Sequence, residues 1–206
     1  MSNAAVNDNE GRHDLLARAV KYAVDRHKGT NRKGTRVPYI VHPMETAAIA
    51  AGMTDDVNVI AAAVLHDTVE DTDATIEDIR REFGDRVAQL VGAESENKRP
   101  DQPEADTWEL RKQETILHLL KEKDRDVLII ALSDKLSNIQ ALHRDYMKFG
   151  DKIWSRFNQQ NPSMQKWYYE NLKQCFEPLK NTQAYMEYTA LMQEVFGRYP
   201  ARTKKG

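Results

Sequence analysis

Apolar residues along this chain recur at helical spacing, and stretches that alternate with period two are nearly absent. The run Leu15, Leu16, Ala19, Val20, Ala23, Val24 is typical. A period of 3.6 places such residues on one face of a helix, so the chain is expected to be all-α. With 206 residues, 40% of them hydrophobic, one domain with a sizeable core is expected. The longest apolar runs, 60–65 and 127–132, are far too short to span a bilayer. Segment 1–14 is polar and lacks the apolar stretch of a signal peptide. The one cysteine, Cys175, cannot form an internal disulfide, which argues against a secreted scaffold. The expected location is cytoplasmic. Thirty Lys and Arg against 32 Asp and Glu leave a net charge of -2. That balance gives no overall electrostatic case for nucleic acid or an anionic membrane.

Residues 1–11 read as a disordered tail, 12–198 as the folded domain and 199–206 as a second tail. The expected helices begin with 14–27, followed by a Gly- and base-rich loop, 28–38. Pro43 stands in the first turn of the next helix, where a missing N–H costs nothing. Asp55 or Asp56 caps a third helix reaching about Asp71. Thr75-Ile-Glu-Asp78 resembles a capping box for a fourth, ending near Gly84. A fifth covers 85–92 and a little more. Segment 94–107 holds two prolines and almost nothing apolar, so it reads as a surface loop, with closure over a ligand as an option. Helices over 108–123 and 126–144 follow. Two or three more, carrying Trp154, Phe157, Trp167, Tyr168 and Tyr169, complete the chain.

The chemistry concentrates in His66-Asp67-Thr-Val-Glu70-Asp71. On a helix, His66 stands over Glu70 and Asp67 over Asp71, each pair a turn apart. So many acids beside the apolar segment 59–65 call for a compensating cation or substrate. Imidazole with carboxylate suits Mn, Fe, Zn or Mg. Two further ligands are available in His42, within Pro-Tyr-Ile-Val-His-Pro, and Asp134, which follows the apolar run 127–132. His42, His66, Asp67 and Asp134 then form a His₂Asp₂ set with positions left for water. Taken singly, each has a plain structural reading: a capped turn, a common dipeptide, a salt-bridged acid. His13, His27, His118 and His143 show no partner pattern and read as structural.

The order His42, His66-Asp67, Asp134 resembles the HD-domain metal-dependent phosphohydrolases. Arg32-Lys33-Gly, Pro-Tyr-Ile-Val-His-Pro, His-Asp-Thr-Val-Glu-Asp-Thr and Ser-Asp-Lys-Leu-Ser-Asn together resemble the hydrolase domain of the RelA/SpoT stringent-response family, over roughly residues 12–180. The resemblance implies an HD-type bundle of about eight to ten helices, a Mn²⁺ ion (other divalent cations being options) and a stand-alone small alarmone hydrolase. The implied reaction removes the 3′-pyrophosphate from a (p)ppGpp-like or (p)ppApp-like nucleotide. An HD-type nucleotide or NADPH phosphatase, or a non-catalytic nucleotide-binding module, are the alternatives. A homo-oligomer is left open.

Roles follow from chemistry. A divalent cation acidifies water, and His42, His66, Asp67 and Asp134 would hold that cation. Glu70 and Asp71, a turn further on, are placed to orient or deprotonate the attacking water, Glu70 being the preferred proton handler. Arg32 offers a bidentate fork for phosphate oxygens and Lys33 a point charge, on a loop with Gly29 and Gly34. Lys98 is a further phosphate candidate. Asn138, four residues after Asp134, is expected to face the nucleotide, and Tyr168 to stack on the base or bind phosphate, unless it is core. Arg111 and Lys112 either steer phosphate or belong to a solvated helix face.

Overall fold

The computed structural model describes residues 3–95, 99 and 101–202, with side chains from Glu10 onward. Ten α-helices and two 3₁₀ turns make up its regular structure: α1 (Asn3–Arg26), α2 (Val41–Ala51), α3 (Val57–Leu65), α4 (Thr68–Asp71), α5 (Ile76–Phe83), α6 (Asp85–Glu94), α7 (Glu104–Lys121), α8 (Arg125–Phe149), α9 (Pro162–Cys175) and α10 (Gln183–Phe196). The only pairing of β type among the described residues is an isolated antiparallel bridge between Asn31 and Pro38. The all-α expectation holds, as does the expected number of helices.

Local signals act as the sequence suggests. The Asp56 side chain accepts the Asn58 N–H at 2.8 Å and caps α3. At α5, Thr75 accepts from the Asp78 N–H while Asp78 accepts from the Thr75 N–H, a reciprocal capping box. Gly84, at φ +88, then turns the chain into α6, a conformation that costs a glycine nothing.

Several boundaries differ from expectation, among them that of α8, which runs on to Phe149. α1 starts at Asn3 rather than near Asp14, because segment 3–13 contains no proline to stop it. α7 starts at Glu104 rather than at Trp108, which shortens the expected loop. Pro103 precedes it, and Glu104 and Asp106 in the first turn suit the positive end of a helix. At the other end, Tyr199 and Arg202 of the expected tail are tied down. Trp154 Nε1–H donates to the Tyr199 hydroxyl at 3.0 Å, and Arg202 pairs with Glu109 at 2.5 Å.

The expected single domain divides into two compact units. One holds α1 to α6 with Ile129–Asp134 of α8, and the other holds α7, the rest of α8, α9 and α10. The first unit is centred on α3, which packs against α1, α2 and α6. Ala61, Ala62, Ala63 and Leu65 are fully buried, and Ile129 to Leu132 join the same core. Small alanine side chains let neighbouring helices approach α3 closely on several sides. The second unit is built on aromatics: Tyr188, Phe176 and Phe196 are buried, and the Tyr188 hydroxyl donates to the Tyr169 carbonyl at 2.9 Å. No helix of the described residues is long and apolar enough to cross a membrane.

Candidate metal centre

The buried helix α3 carries His66 into the interior of the first unit as its C-terminal cap. The helical ladder does not run on to Asp71 as the i,i+4 reading supposed. Asp67 takes φ -88, ψ -5, the region between helix and strand where many active-site residues sit. A short new helix, α4, then carries Glu70 and Asp71. The Asp71 N–H still donates to the Asp67 carbonyl at 2.9 Å. The Asp67–Asp71 turn is therefore intact, whereas the step from His66 to Glu70 spans the interruption.

His42 enters from the first turn of α2 and Asp134 from α8, and both are buried. His42 Nε2 stands 3.1 Å from Asp134 Oδ1 and 3.5 Å from Asp67 Oδ2. His66 Nε2 stands 3.1 Å from Asp67 Oδ2 and 3.7 Å from Asp134 Oδ1. Two imidazole nitrogens and two carboxylates thus converge from three elements. Donor atoms of His42, His66 and Asp134 all lie within 4.8 Å of one another.

This donor set fits a divalent ion. His66 Nδ1 lies 2.8 Å from the Ala63 carbonyl, which can only accept, so Nδ1 carries a hydrogen and Nε2 is the nitrogen left for the centre. That Nε2 is buried and makes no hydrogen bond, an arrangement costly unless another partner satisfies it. Separations near 3 Å are also what neighbouring ligands of one ion adopt when each bond is about 2.1 Å. Mixed imidazole and carboxylate donors suit first-row divalent metals rather than soft ones.

The charges of the centre lie close together and act on one another. Burial works against a charged His66, yet Asp67 and Asp134 beside it outweigh burial and hold its pKa well above the ordinary value. Burial would likewise raise the Asp67 pKa, but the two imidazoles bring it down. Asp67 has a further partner that the sequence reading missed. The Tyr39 hydroxyl donates to Asp67 Oδ2 at 2.6 Å. Burial, followed by the charges of Asp67 and Asp71, holds that phenol protonated. Tyr39 stands inside Pro-Tyr-Ile-Val-His-Pro, three residues before His42, and that closeness was the available signal.

The remaining site candidates are less concentrated. Glu70 is half-buried and Asp71 exposed on α4. Arg32 and Lys33 occupy a tight turn closed by the Thr35 N–H to the Arg32 carbonyl at 3.0 Å, with Gly34 at φ +74. The Arg32 N–H donates to the Val37 carbonyl at 2.9 Å and the Tyr39 N–H to the Thr30 carbonyl at 2.9 Å. The basic loop is thus a small closed hairpin, whose glycines serve its turns and whose base ends at Tyr39. Asn138 lies half-buried on α8, one turn past Asp134. Lys98 lies outside the described residues.

Tyr168 is 5% exposed and belongs to the core of the second unit. Trp108 and Tyr169 meet its ring edge-on, and Lys112 Nζ sits 5.2 Å over it. Base stacking needs an open ring face, and the aromatic cluster leaves none. Arg111 is buried as well, with Nε–H donating to the Thr107 hydroxyl at 3.2 Å, so it does not lie on a solvated face.

Residues 19–162 match a family model described as an HD domain. The chain is 37% identical over 127 residues to the guanosine-3′,5′-bis(diphosphate) 3′-pyrophosphohydrolase of Aquifex aeolicus (strain VF5), covering 62% of this chain and 18% of that one. It spans less than a fifth of the length of the first curated relatives it matches. The guanosine-3′,5′-bis(diphosphate) 3′-pyrophosphohydrolase MESH1 of Danio rerio is nearer in size. That protein is 35% identical over 133 residues, covering 63% of this chain and 70% of that one. Among solved structures, lmo0812 from Listeria monocytogenes EGD-e superposes with a TM-score of 0.67 at 32% identity, over 76% of this chain and 99% of that one. A metazoan ortholog of SpoT, described as hydrolysing ppGpp, gives a TM-score of 0.71 at 24% identity, over 87% and 94%, and supports the fold.

Proposed function

The chain belongs to the HD-domain family, and we propose that it is a metal-dependent phosphohydrolase that removes the 3′-pyrophosphate from guanosine 3′,5′-bisdiphosphate-type nucleotides. The observation that carries this reading is the convergence of His42, His66, Asp67 and Asp134, with His66 Nε2 buried and without a hydrogen bond. The names of the curated relatives support the substrate class.

His42, His66, Asp67 and Asp134 would hold a divalent ion, Mn²⁺ in our reading, which when bound would supply Lewis acidity and acidify water. The carboxylates of Asp67 and Asp134 offset its charge. His66 keeps its orientation through Nδ1–H on the Ala63 carbonyl. Glu70 takes the proton from the attacking water, and Asp71 orients that water beside it. Arg32 and Lys33, presented by the hairpin turn, bind the pyrophosphate oxygens. Asn138 hydrogen-bonds the nucleotide, and Lys98 adds a cation. Tyr168 is left out of the substrate contacts because its ring is enclosed in the core. Water adds to the 3′-linked phosphorus, the bond to the ribose 3′-oxygen breaks, and that oxygen takes up a proton, the counterpart of the one passed to Glu70, leaving pyrophosphate and a free 3′-hydroxyl. The setting we assign is the cytoplasm, with guanine and adenine both open as the base.

The test is product analysis by ion-exchange chromatography. Purified protein with Mn²⁺ is offered guanosine and adenosine 3′,5′-bisdiphosphates and NADPH side by side. Pyrophosphate together with a nucleoside 5′-diphosphate is the expected outcome. Orthophosphate from NADPH alone would replace this reading with a dinucleotide phosphatase, and no turnover of any substrate would remove it.

A further inference from the structure

Asp67 stands at the interruption between α3 and α4, where no continuous helix fixes its side chain. The terminal torsion of a carboxylate is soft and roughly two-fold. Something besides backbone must therefore hold Oδ2 between the two imidazoles. The Tyr39 hydroxyl does so, at 2.6 Å from the same oxygen that lies 3.1 Å from His66 Nε2 and 3.5 Å from His42 Nε2.

Tyr39 is itself held from two sides. Its N–H closes the hairpin on Thr30. Its ring lies against His27, centroids 4.9 Å apart at 39°, and meets His42 edge-on at 6.0 Å. His27 is 3% exposed, and neither ring nitrogen has a hydrogen-bond partner. A polar ring buried without partners stabilises nothing through its nitrogens. What His27 offers Tyr39 is a ring packed at a tilt against its own.

We infer that Tyr39 is a positioning residue for the metal centre, orienting Asp67 by its hydroxyl, and that His27 acts through Tyr39 by supporting its ring. This inference rests on the proposed metal site. Groups that orient ligands typically change metal affinity by about 10- to 100-fold when removed, and the same loss is expected for Tyr39→Phe. That substitution leaves the ring on His27 and removes one oxygen, so the melting temperature should stay near wild type. His27→Ala removes the support and should weaken binding in the same direction. His27→Phe keeps a flat ring and should retain affinity within about threefold.

The experiment is titration of the metal-free full chain with Co²⁺, followed by visible absorption, with Mn²⁺ competition for affinity and no nucleotide present. Wild type should take up one Co²⁺ with a ligand-field spectrum. Tyr39→Phe should bind about 10- to 100-fold more weakly with an altered spectrum. The double variant His27→Ala/Tyr39→Phe should bind no more weakly than Tyr39→Phe, because both act on one group. Wild-type affinity and spectrum in Tyr39→Phe would overturn the role of Tyr39. Additive losses in the double variant would overturn the route through Tyr39. If His27→Ala does not fold, loss of affinity in His27→Phe would overturn the role of ring packing. Failure of wild type to bind either metal would instead remove the metal reading itself.

Discussion

Leu65→Ala probes how firmly the buried helix delivers His66. Leu65 is the last residue of α3, is fully buried and immediately precedes His66. The change removes three carbons, worth about 2.4 kcal/mol at ~0.8 kcal/mol per carbon. A cavity term adds to this, and measured Leu→Ala losses in cores run from about 2 to 5 kcal/mol. α3 is packed by α1, α2 and α6, so the site has little freedom to collapse, and a loss of about 3–4 kcal/mol is expected. For a chain of this length that corresponds to a melting temperature lower by roughly 6–16 °C. Urea and thermal unfolding followed by circular dichroism provide the assay, with Val91→Ala, fully buried on α6, as a control further along the chain from the centre. Metal affinity should fall for Leu65→Ala beyond what the control shows, because the new space loosens the last turn of α3, which carries His66. A loss under about 1 kcal/mol, or metal affinities equal in the two variants, would refute the reasoning.

Three further outcomes are expected. Glu70→Gln should keep the bound metal and lose about 10²- to 10⁴-fold in kcat, the usual contribution of a proton-transferring group, and an unaltered kcat would remove Glu70 from the mechanism. Hydrogen bonds from Thr75, then Arg81, hold Asp78 at a pKa of about 2, below its ordinary 3.8. A lowered folded pKa contributes stability above the unfolded value that is lost on acidification. The stability gap between wild type and Asp78→Ala should therefore be full above about pH 5 and shrink as the pH falls from 3.8 towards about 2. A gap independent of pH in denaturant titrations would contradict this. Burial pushes the Cys175 thiol up to about 11, so a thiol reagent at pH 8 should label the native chain far more slowly than the urea-unfolded chain, and equal rates would show Cys175 to be accessible.

Much of the fold was legible because its signals are local. Helical periodicity marked the elements, the pair Asp55 and Asp56, of which Asp56 is the cap, and the Thr75–Asp78 box marked two starts, and Gly84 marked a stop. The convergence of His42, His66, Asp67 and Asp134 also followed, since so many ionisable groups beside buried helices require one another. The features that escaped depend on tertiary context. A histidine–aspartate pair inside a helical pattern does not announce that the ladder breaks there, because Asp67 leaves helical geometry only modestly. Tyr39 reads as part of a turn until its hydroxyl is seen on Asp67. The basic loop closes as a hairpin through backbone bonds that composition does not reveal. Tyr168 carries the same sequence signal whether it stacks on a base or on Trp108, and only its burial separates the two.

The central claim is that His42, His66, Asp67 and Asp134 form one metal centre. Metal-free protein dialysed against Mn²⁺ and analysed for bound metal tests it most directly, with wild type beside Asp134→Ala. Asp134 stands 3.1 Å from His42 Nε2, and its loss takes one carboxylate from the set. One Mn²⁺ per wild-type chain and none retained by the folded variant is the predicted result. Wild-type protein without stoichiometric Mn²⁺, or a variant that keeps it, would contradict the account.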